Sequence, residues 1–271
     1  MDRLKVRVRP PRAGPQGRQP CGGRLAATHV LIAGATGSGK GSVIWSLIRA
    51  LLPAIAAGWV QVWALDPKRM ELSFGRAMFH RYACHATGMV ELLEAAVAEM
   101  HDRAGQFGGI TRTFTPSAGF PFVVVLVDEL AFLTAYQPER DLRKRAEAAI
   151  ATLTSQGRSV GVCVVGALQD PRKDVISLRN LFSTRIALRL DESDQVDMVL
   201  GDGARDRGAL ADQISPVPYT GAGWGTSGWR PRPTRCGFGP PTSPTPTSAA
   251  WPRRSAACRG VPHEGDRMAD R

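Results

Sequence analysis

The sequence predicts an α/β fold in which helices cover both faces of a mostly parallel β-sheet. Between residues 29 and 221, short apolar runs alternate with longer stretches whose apolar residues recur at helical spacing, as in successive strand–helix units. The run FVVVLV at 122–127 is continuously apolar, which is typical of a strand covered on both faces. The Gly-rich sequence GATGSGK joins the first apolar run to the first helical stretch. These observations predict one nucleotide-binding domain over residues 29–220.

The elements follow one another along this region. Short apolar runs predict strands at 29–34, 59–65, 122–127, 160–168 and 184–190. Apolar residues spaced by three and four predict helices at 40–52, 88–104 and 139–155. Pro53 is expected to end the first helix, because proline lacks the N–H that a helix interior needs.

Composition narrows the class of protein and its environment. With 271 residues, 43% hydrophobic and 22% charged, the chain is neither wholly disordered nor a coiled coil. No signal peptide is visible, and no apolar stretch is long enough to span a bilayer. The five cysteines show no Cys-x-x-Cys spacing. We therefore expect a cytoplasmic protein with no membrane segment in this chain.

The net charge of +11 lies at the two ends of the chain. Residues 1–28 carry +6 and residues 222–271 carry +5, whereas the acids and bases between them balance. We expect a disordered basic arm at 1–28 and a disordered tail at 221–271. Residues 222–271 contain no Leu or Ile but half of all Trp, which would also fit sequence translated out of frame. Basic tails can hold phosphates or simply aid solubility, so charge alone does not identify a partner.

The Gly-rich loop is the strongest functional signal. Its Gly-x4-Gly-Lys pattern lets backbone N–H groups surround phosphates, and the lysine neutralises them. The residues expected to bind nucleotide are Gly34, Ala35, Thr36, Gly37, Ser38, Gly39, Lys40, Gly41 and Ser42. Position 41 normally carries a Ser or Thr whose hydroxyl reaches Mg²⁺, but here it is Gly. Either Ser42 takes that role, or Mg²⁺ is held through water.

A second signal follows the strand at 122–127. Asp128 would hold the water shell of Mg²⁺, and Glu129 would polarise the attacking water as general base. A small-molecule kinase usually has no need of the adjacent glutamate, so this pair favours ATP hydrolysis. Gln169, after the strand at 160–168, could sense the γ-phosphate or simply close a turn.

Two arginines could act in the site of a neighbouring subunit. Arg158 and Arg185 lie near the ends of predicted strands, and an arginine that projects into a neighbour's site can stabilise charge in a phosphoryl-transfer transition state. Such arginines more often pair with surface acids, so both interpretations remain open.

Five blocks in order resemble the ATPase region of the FtsK/SpoIIIE family of DNA translocases. They are HVLIAGATGSGKGSVIWSLIRAL, WALDPKRMEL, FVVVLVDELAFL, SQGRSVGVCVVGALQDP and TRIALRLDESDQVDMVLGDGARDRGAL. The resemblance covers residues 29–215. Within the family, the sequence is most similar to the transfer (Tra) proteins of actinobacterial plasmids and integrative elements.

The resemblance implies a RecA-like P-loop NTPase fold that binds ATP and Mg²⁺ and assembles as a homohexameric ring around double-stranded DNA. It implies ATP-driven DNA translocation in conjugative plasmid transfer or chromosome segregation. Lys40, Asp128, Glu129 and Gln169 would be catalytic, with Asp128 and Ser42 toward the metal. Arg185 holds the best arginine-finger position, and Arg158 is a second candidate. The block Asp66-Pro67-Lys68 also matches, without an assigned role.

Two alternatives remain. The chain could be a truncated motor remnant that binds nucleotide without turning it over, which Gly41 and the unusual tail would explain. It could also be another P-loop enzyme, such as a small-molecule kinase.

Overall fold

The computed structural model describes residues 28–111, 114–171, 176–217, 224–227 and 234–237. Within these ranges, eight strands form one sheet. In chain order they are β1 (Val30–Ala33), β2 (Val60–Leu65), β3 (Arg81–Ala83), β4 (Phe122–Val127), β5 (Val162–Leu168), β6 (Thr184–Leu188), β7 (Trp224–Ser227) and β8 (Thr234–Gly237). Their order across the sheet is β3-β2-β4-β5-β1-β6-β7-β8.

Helices connect the strands and cover the sheet. They are α1 (Lys40–Ala56), α2 (Ala86–Phe107), α3 (Leu130–Leu133), α4 (Arg140–Gln156) and α5 (Ser193–Leu200). Short 3₁₀ helices occur at Ser73–Met78, Gly157–Val160, Ile176–Leu181 and Ala211–Gln213. The predicted fold class is confirmed, and each of the five predicted strands and three predicted helices is present. The sequence did not predict β3, β7, β8, α3 or α5.

The expectation that Pro53 ends the first helix was wrong. Helix α1 continues through Pro53 to Ala56. A proline removes the hydrogen bond that its own N–H would donate, but it can still accept one, and here it stands a single turn from the helix end. The carbonyl of Pro53 accepts a hydrogen bond from Ala57 N at 3.1 Å. The last turn is therefore still closed by a backbone hydrogen bond.

Six adjacent strands of the sheet are all parallel, namely β3, β2, β4, β5, β1 and β6. Strand β1 lies in the middle of the sheet, so that Val30 pairs with Val165 of β5 on one side and Thr184 of β6 on the other. Parallel strands place all their carboxyl ends at one edge. The loops after β2, β4, β5, β1 and β6 are consequently neighbours along that edge.

Two apolar cores lie on opposite faces of the sheet. One packs α1 against the sheet, and its fully buried members include Ile32, Ile44 and Leu126. The other packs α2, α4 and α5 against the opposite face around Leu93, Ile150 and Val199. Alternate residues of the central strands enter opposite cores, as expected for strands buried on both faces. None of the helices described here is long and apolar enough to cross a membrane.

The composition predicted a disordered tail, but two stretches of it form strands. Strand β7 pairs antiparallel with β6, and β8 pairs antiparallel with β7. An added side-chain carbon at Gly225 would lie 2.8 Å from the carbonyl oxygen of Ala187, so the absence of a side chain permits close pairing. Residues 238–271 and the basic arm at 1–27 lie outside the described residues.

Candidate nucleotide site

The predicted catalytic residues meet along the carboxyl edge of the sheet, with the exception of the arginines. The Gly-rich loop follows β1, Asp128 and Glu129 follow β4, and Gln169 follows β5. Two further loops border them, namely residues 66–72 after β2 and the segment after β6 that begins with Arg189. Five neighbouring strands thus supply one site, which is where ligands bind in open α/β sheets.

The Gly-rich loop is shaped by its backbone. Gly37 and Gly39 have φ angles of 75° and 94°, in the left-handed region that favours glycine. A side-chain carbon added at Gly37 would contact nothing within 4 Å, so this part of the loop faces open space. No side chain caps helix α1. The first N–H groups of that helix therefore have no acceptor within it and can bind an anion.

Lys40 occupies the first position of α1 and turns back over the loop. Its ammonium donates hydrogen bonds to the carbonyl oxygens of Gly34 at 2.6 Å and Ala35 at 3.0 Å. Burial lowers the pKa of Lys40 to about 8, although the carboxylates of Glu129 and Asp128 favour its charged form. A phosphate beside this ammonium would stabilise the charge that burial disfavours.

Two contacts from the β6 side hold the loop in place. Arg189 donates a hydrogen bond to the carbonyl oxygen of Thr36 at 2.7 Å, and its own carbonyl accepts one from Ala35 N at 2.8 Å. Its guanidinium also pairs with Asp191. Arg189 could not be singled out from the sequence, because its backbone partners lie more than 150 residues away.

Asp128 is a buried carboxylate at the end of β4, with 8% of its surface exposed. Burial raises the pKa of Asp128 to about 6, against the opposing effect of Lys68. Other carboxylates raise it further, namely those of Asp66, Glu71 and Glu129. Such a group gains from a cation beside it, since the cation would favour the ionised form.

Glu129 has both carboxylate oxygens engaged. Its Oε2 accepts a hydrogen bond from Lys68 Nζ at 3.0 Å, and its Oε1 accepts one from Gln169 N at 3.3 Å. The side chain is only 7% exposed, whereas that of Lys68 is 41% exposed. The backbone of Gln169, and not its amide side chain, makes the contact that brings these residues together.

The loop at 66–72, which the sequence left without a role, is built around Asp66. This fully buried carboxylate accepts hydrogen bonds at 3.1 Å from Leu72 N, Ser73 N and Tyr82 Oη. Burial raises the pKa of Tyr82, and the charge of Asp66 adds to that rise. Arg69 adopts a φ of 56°, which is uncommon for a residue with a side chain. The tight turn lets Lys68 contact Glu129.

The residues present fit a magnesium–nucleotide complex. Ser38 is fully buried, and its hydroxyl has no hydrogen-bond partner in the described part of the chain. No group of three His, Cys, Asp or Glu side chains among the described residues could hold a metal ion by itself. Mg²⁺ is usually held by one or two carboxylates together with substrate phosphates, which matches this donor set. Lys40 and the backbone N–H groups would hold phosphates, and Asp128 would face the metal.

Ser42 and Gly41 are the two residues whose role at the metal the sequence left open, and their surroundings differ. Ser42 is partly buried in the first turn of α1. An added side-chain carbon at Gly41 would lie 2.2 Å from Glu71 Oε1, so the space of that side chain is already filled. The assignment of Ser42 to the metal stays a prediction.

The two candidate arginines lie away from the site within this chain. Arg185 is the second residue of β6, in register with Leu31, and burial lowers its pKa with a further contribution from Arg179. Arg158 lies in the 3₁₀ helix before β5, toward the amino ends of the strands. Neither reaches Lys40 or Asp128 in the same chain. Their roles in a neighbouring subunit stay predictions.

Solved structures share this architecture. The pCW3 conjugation coupling protein TcpA, solved with ATPγS, aligns with a TM-score of 0.61 at 20% identity over 78% of this chain and 60% of that one. The cytoplasmic domain of the type VII secretion ATPase EccC from Thermomonospora curvata aligns with a TM-score of 0.57 at 20% identity, covering 78% of this chain and 25% of that one. The parallel sheet and the Gly-rich loop after β1 therefore define a P-loop ATPase fold.

Sequence comparisons narrow the class. The model of the FtsK/SpoIIIE family matches residues 21–113. DNA translocase FtsK of Staphylococcus aureus is 29% identical over 200 residues, covering 66% of this chain and 25% of that protein. DNA translocase FtsK of Streptomyces avermitilis is 33% identical over 175 residues, covering 55% of this chain and 18% of that protein. The resemblance is confirmed: residues 21–113 match the FtsK/SpoIIIE family model, and the chain is similar in sequence to FtsK-type DNA translocases. It spans a quarter or less of the length of these relatives.

Proposed function

We propose that this chain is an ATP-driven motor that translocates double-stranded DNA. The observation that carries the proposal is the meeting of Lys40, Asp128 and Glu129 at one edge of the sheet. Lys40 would hold the terminal phosphates, Asp128 would face Mg²⁺, and Glu129 would orient and deprotonate the attacking water. The names of the relatives, DNA translocase FtsK, support DNA as the substrate on which the motor acts.

Glu129 must lose one of its present hydrogen bonds before it can act as a general base. Both of its oxygens already accept hydrogen bonds, one of them from the ammonium of Lys68. A general base must be within hydrogen-bond reach of the water it activates. We infer that Lys68 releases Glu129 when the motor is engaged on DNA, so that hydrolysis is slow in the absence of DNA.

The proposal includes a ring of identical subunits, with Arg185 of one subunit completing the site of the next. This is supported by its failure to reach Lys40 in its own chain. The same motor could serve conjugative transfer or chromosome segregation. TcpA, a conjugation coupling protein, shares the fold, and the FtsK relatives are DNA translocases.

ATP hydrolysis with and without linear double-stranded DNA tests the function. We expect DNA to stimulate hydrolysis by the wild-type chain, and Glu129→Ala to abolish the stimulated rate. Glu91→Ala, at an exposed glutamate of α2, is the matched control and should behave as wild type. Nucleotide binding without stimulated turnover would identify a motor remnant instead, and transfer of phosphate to a small molecule would identify a kinase.

Mixing two inactive variants tests the shared site. Lys40→Met lacks the phosphate ligand, and Arg185→Ala lacks the proposed finger. If the finger acts across the interface, a mixture regains DNA-stimulated hydrolysis, because some interfaces combine an intact Lys40 with an intact Arg185. A mixture as inactive as its components would rule out a finger at Arg185.

A further inference from the structure

Position 41 and Glu71 occupy the same space. In other P-loops, a Ser or Thr at this position directs its hydroxyl to Mg²⁺. Here an ideal side-chain carbon at Gly41 would lie 2.2 Å from Oε1 and 2.8 Å from Oε2 of Glu71. Both distances are far below contact distance. The carboxylate of Glu71 therefore fills the place where the side chain of residue 41 would stand.

Glu71 is held there from two directions. Trp45 Nε1, one turn further along α1, donates a hydrogen bond to Glu71 Oε1 at 3.0 Å. On the other side, Asp66 anchors the backbone that follows Glu71 by accepting a hydrogen bond from Leu72 N. The indole ring of Trp45 also packs against Gly75, where an added side-chain carbon would lie 2.5 Å from it. The position of the carboxylate is thus fixed by the fold.

A carboxylate beside a phosphate-binding loop is unfavourable unless a cation accompanies it. Glu71 lies against the residue that follows Lys40, so its carboxylate borders the place expected for the terminal phosphates. A divalent cation that comes with the phosphates would offset the repulsion between them and this carboxylate. Ser42 offers no equivalent, because one helical step rotates its side chain by about 100° from position 41.

We propose that Glu71 supplies to Mg²⁺ the oxygen that a Ser or Thr hydroxyl supplies in other P-loops, and that Gly41 is the residue that makes room for it. The inference rests on the proposed function, since it requires the loop to bind a magnesium nucleotide. It replaces both interpretations that the sequence left open, namely Ser42 as a ligand of Mg²⁺ and a coordination shell of Mg²⁺ made of water alone on this side.

The dependence of nucleotide affinity on Mg²⁺ tests this role without relying on turnover. The probe is the fluorescent analogue mant-ATP, titrated in Mg²⁺ and again in EDTA. The ratio of the two Kd values is the magnesium gain of each variant. Glu71→Gln keeps an oxygen for Trp45 and removes the charge. We expect the magnesium gain to fall by about tenfold or more, while the affinity in EDTA is unchanged or improved.

A side-chain exchange sharpens the test. Gly41→Ser alone would bring the new side chain against Glu71, and Glu71→Ala alone would remove the carboxylate, so each should lose magnesium gain. The double variant Gly41→Ser/Glu71→Ala has the usual hydroxyl and the space for it, so its magnesium gain should recover. A merely structural role for Glu71 would move the melting temperature without this pattern. Trp45→Phe, which removes only the indole N–H, should lose less than Glu71→Gln.

The outcomes separate the two proposals. A full magnesium gain in Glu71→Gln would overturn the role of Glu71 and leave the nucleotide site standing. No binding of mant-ATP by the wild-type chain in either condition would overturn both. The second readout is the affinity of the mant-ATP complex for Mn²⁺, measured by electron paramagnetic resonance. It should fall in Glu71→Gln and recover in the double variant.

Discussion

The Gly-rich loop and the loop at 66–72 reach the same site by different physical means. The first works through its backbone, since Gly37 and Gly39 take left-handed conformations and α1 begins without a side-chain cap. The second works through its side chains, because Asp66 organises the turn, Lys68 contacts Glu129 and Glu71 contacts helix α1. Disrupting the first should therefore impair nucleotide binding, whereas removing Asp66 from the second should impair folding.

The largest effect is expected at Asp66. Asp66→Ala removes the acceptor of three hydrogen bonds, two of them from backbone N–H groups at buried or half-buried positions. Unsatisfied buried donors cost about 1–3 kcal/mol each, so the free energy of unfolding should fall by about 3 kcal/mol or more. Urea unfolding measures it, with Asp102→Ala, at an exposed acid of α2, as control. Equal stability of the two variants would show that the 66–72 loop does not contribute to folding as described.

Asp128 links stability to pH. Its pKa is raised to about 6 in the folded chain, above its ordinary value of 3.8, so the folded state favours the proton and loses stability as pH rises from about 4 to about 6. Asn has no proton to lose. Without nucleotide or Mg²⁺, Asp128→Asn should be more stable than wild type by about 2–3 kcal/mol at pH 7.

The same comparison at lower pH is the check. The advantage of Asp128→Asn should shrink as pH falls below about 6 and become small below about pH 4, where the carboxyl is protonated in both the folded and the unfolded state. Urea unfolding over this pH range follows the difference, and an advantage that stays constant with pH would contradict it.

Lys40 should show the opposite balance of binding and stability. Lys40→Met removes a charged donor from the phosphates, which corresponds to roughly 10- to 100-fold weaker mant-ATP binding. Because burial lowers the pKa of Lys40 to about 8, the folded state gains nothing from this charge at neutral pH. The melting temperature should be unchanged or higher. Lys144→Met, at an exposed position of α4, should bind as wild type.

The smallest effect is expected at Arg69. Its left-handed conformation costs about 1 kcal/mol, which glycine avoids, although glycine also loses more chain entropy on folding. Arg69→Gly should therefore raise the free energy of unfolding by less than about 1 kcal/mol. Arg69→Ala keeps the backbone cost and loses the contact with His85, so it should be no more stable than wild type. A stabilised Ala variant would contradict this account of the turn.

The sequence predicted what depends on local patterns. The Gly-x4-Gly-Lys loop and the Asp128-Glu129 pair are visible because each motif is contiguous and follows an apolar strand. The role of Glu71 was not visible, because it depends on a missing side chain 30 positions earlier at Gly41. Lys68 and Arg189 were missed for the same reason, since their partners are 61 and 153 positions away. Strand order brings such residues together, and a single sequence does not give strand order.

The pairing of β7 with β6 has a consequence for association between molecules. Without β7, the backbone of Ile186–Leu188 would be an open edge that could template strand addition by another chain. Backbone hydrogen bonds cover this edge, and they require no particular side chains. A segment poor in aliphatic residues can therefore protect the sheet as well as an ordinary strand would. Removing β7 is therefore expected to expose this edge to strand addition by another molecule.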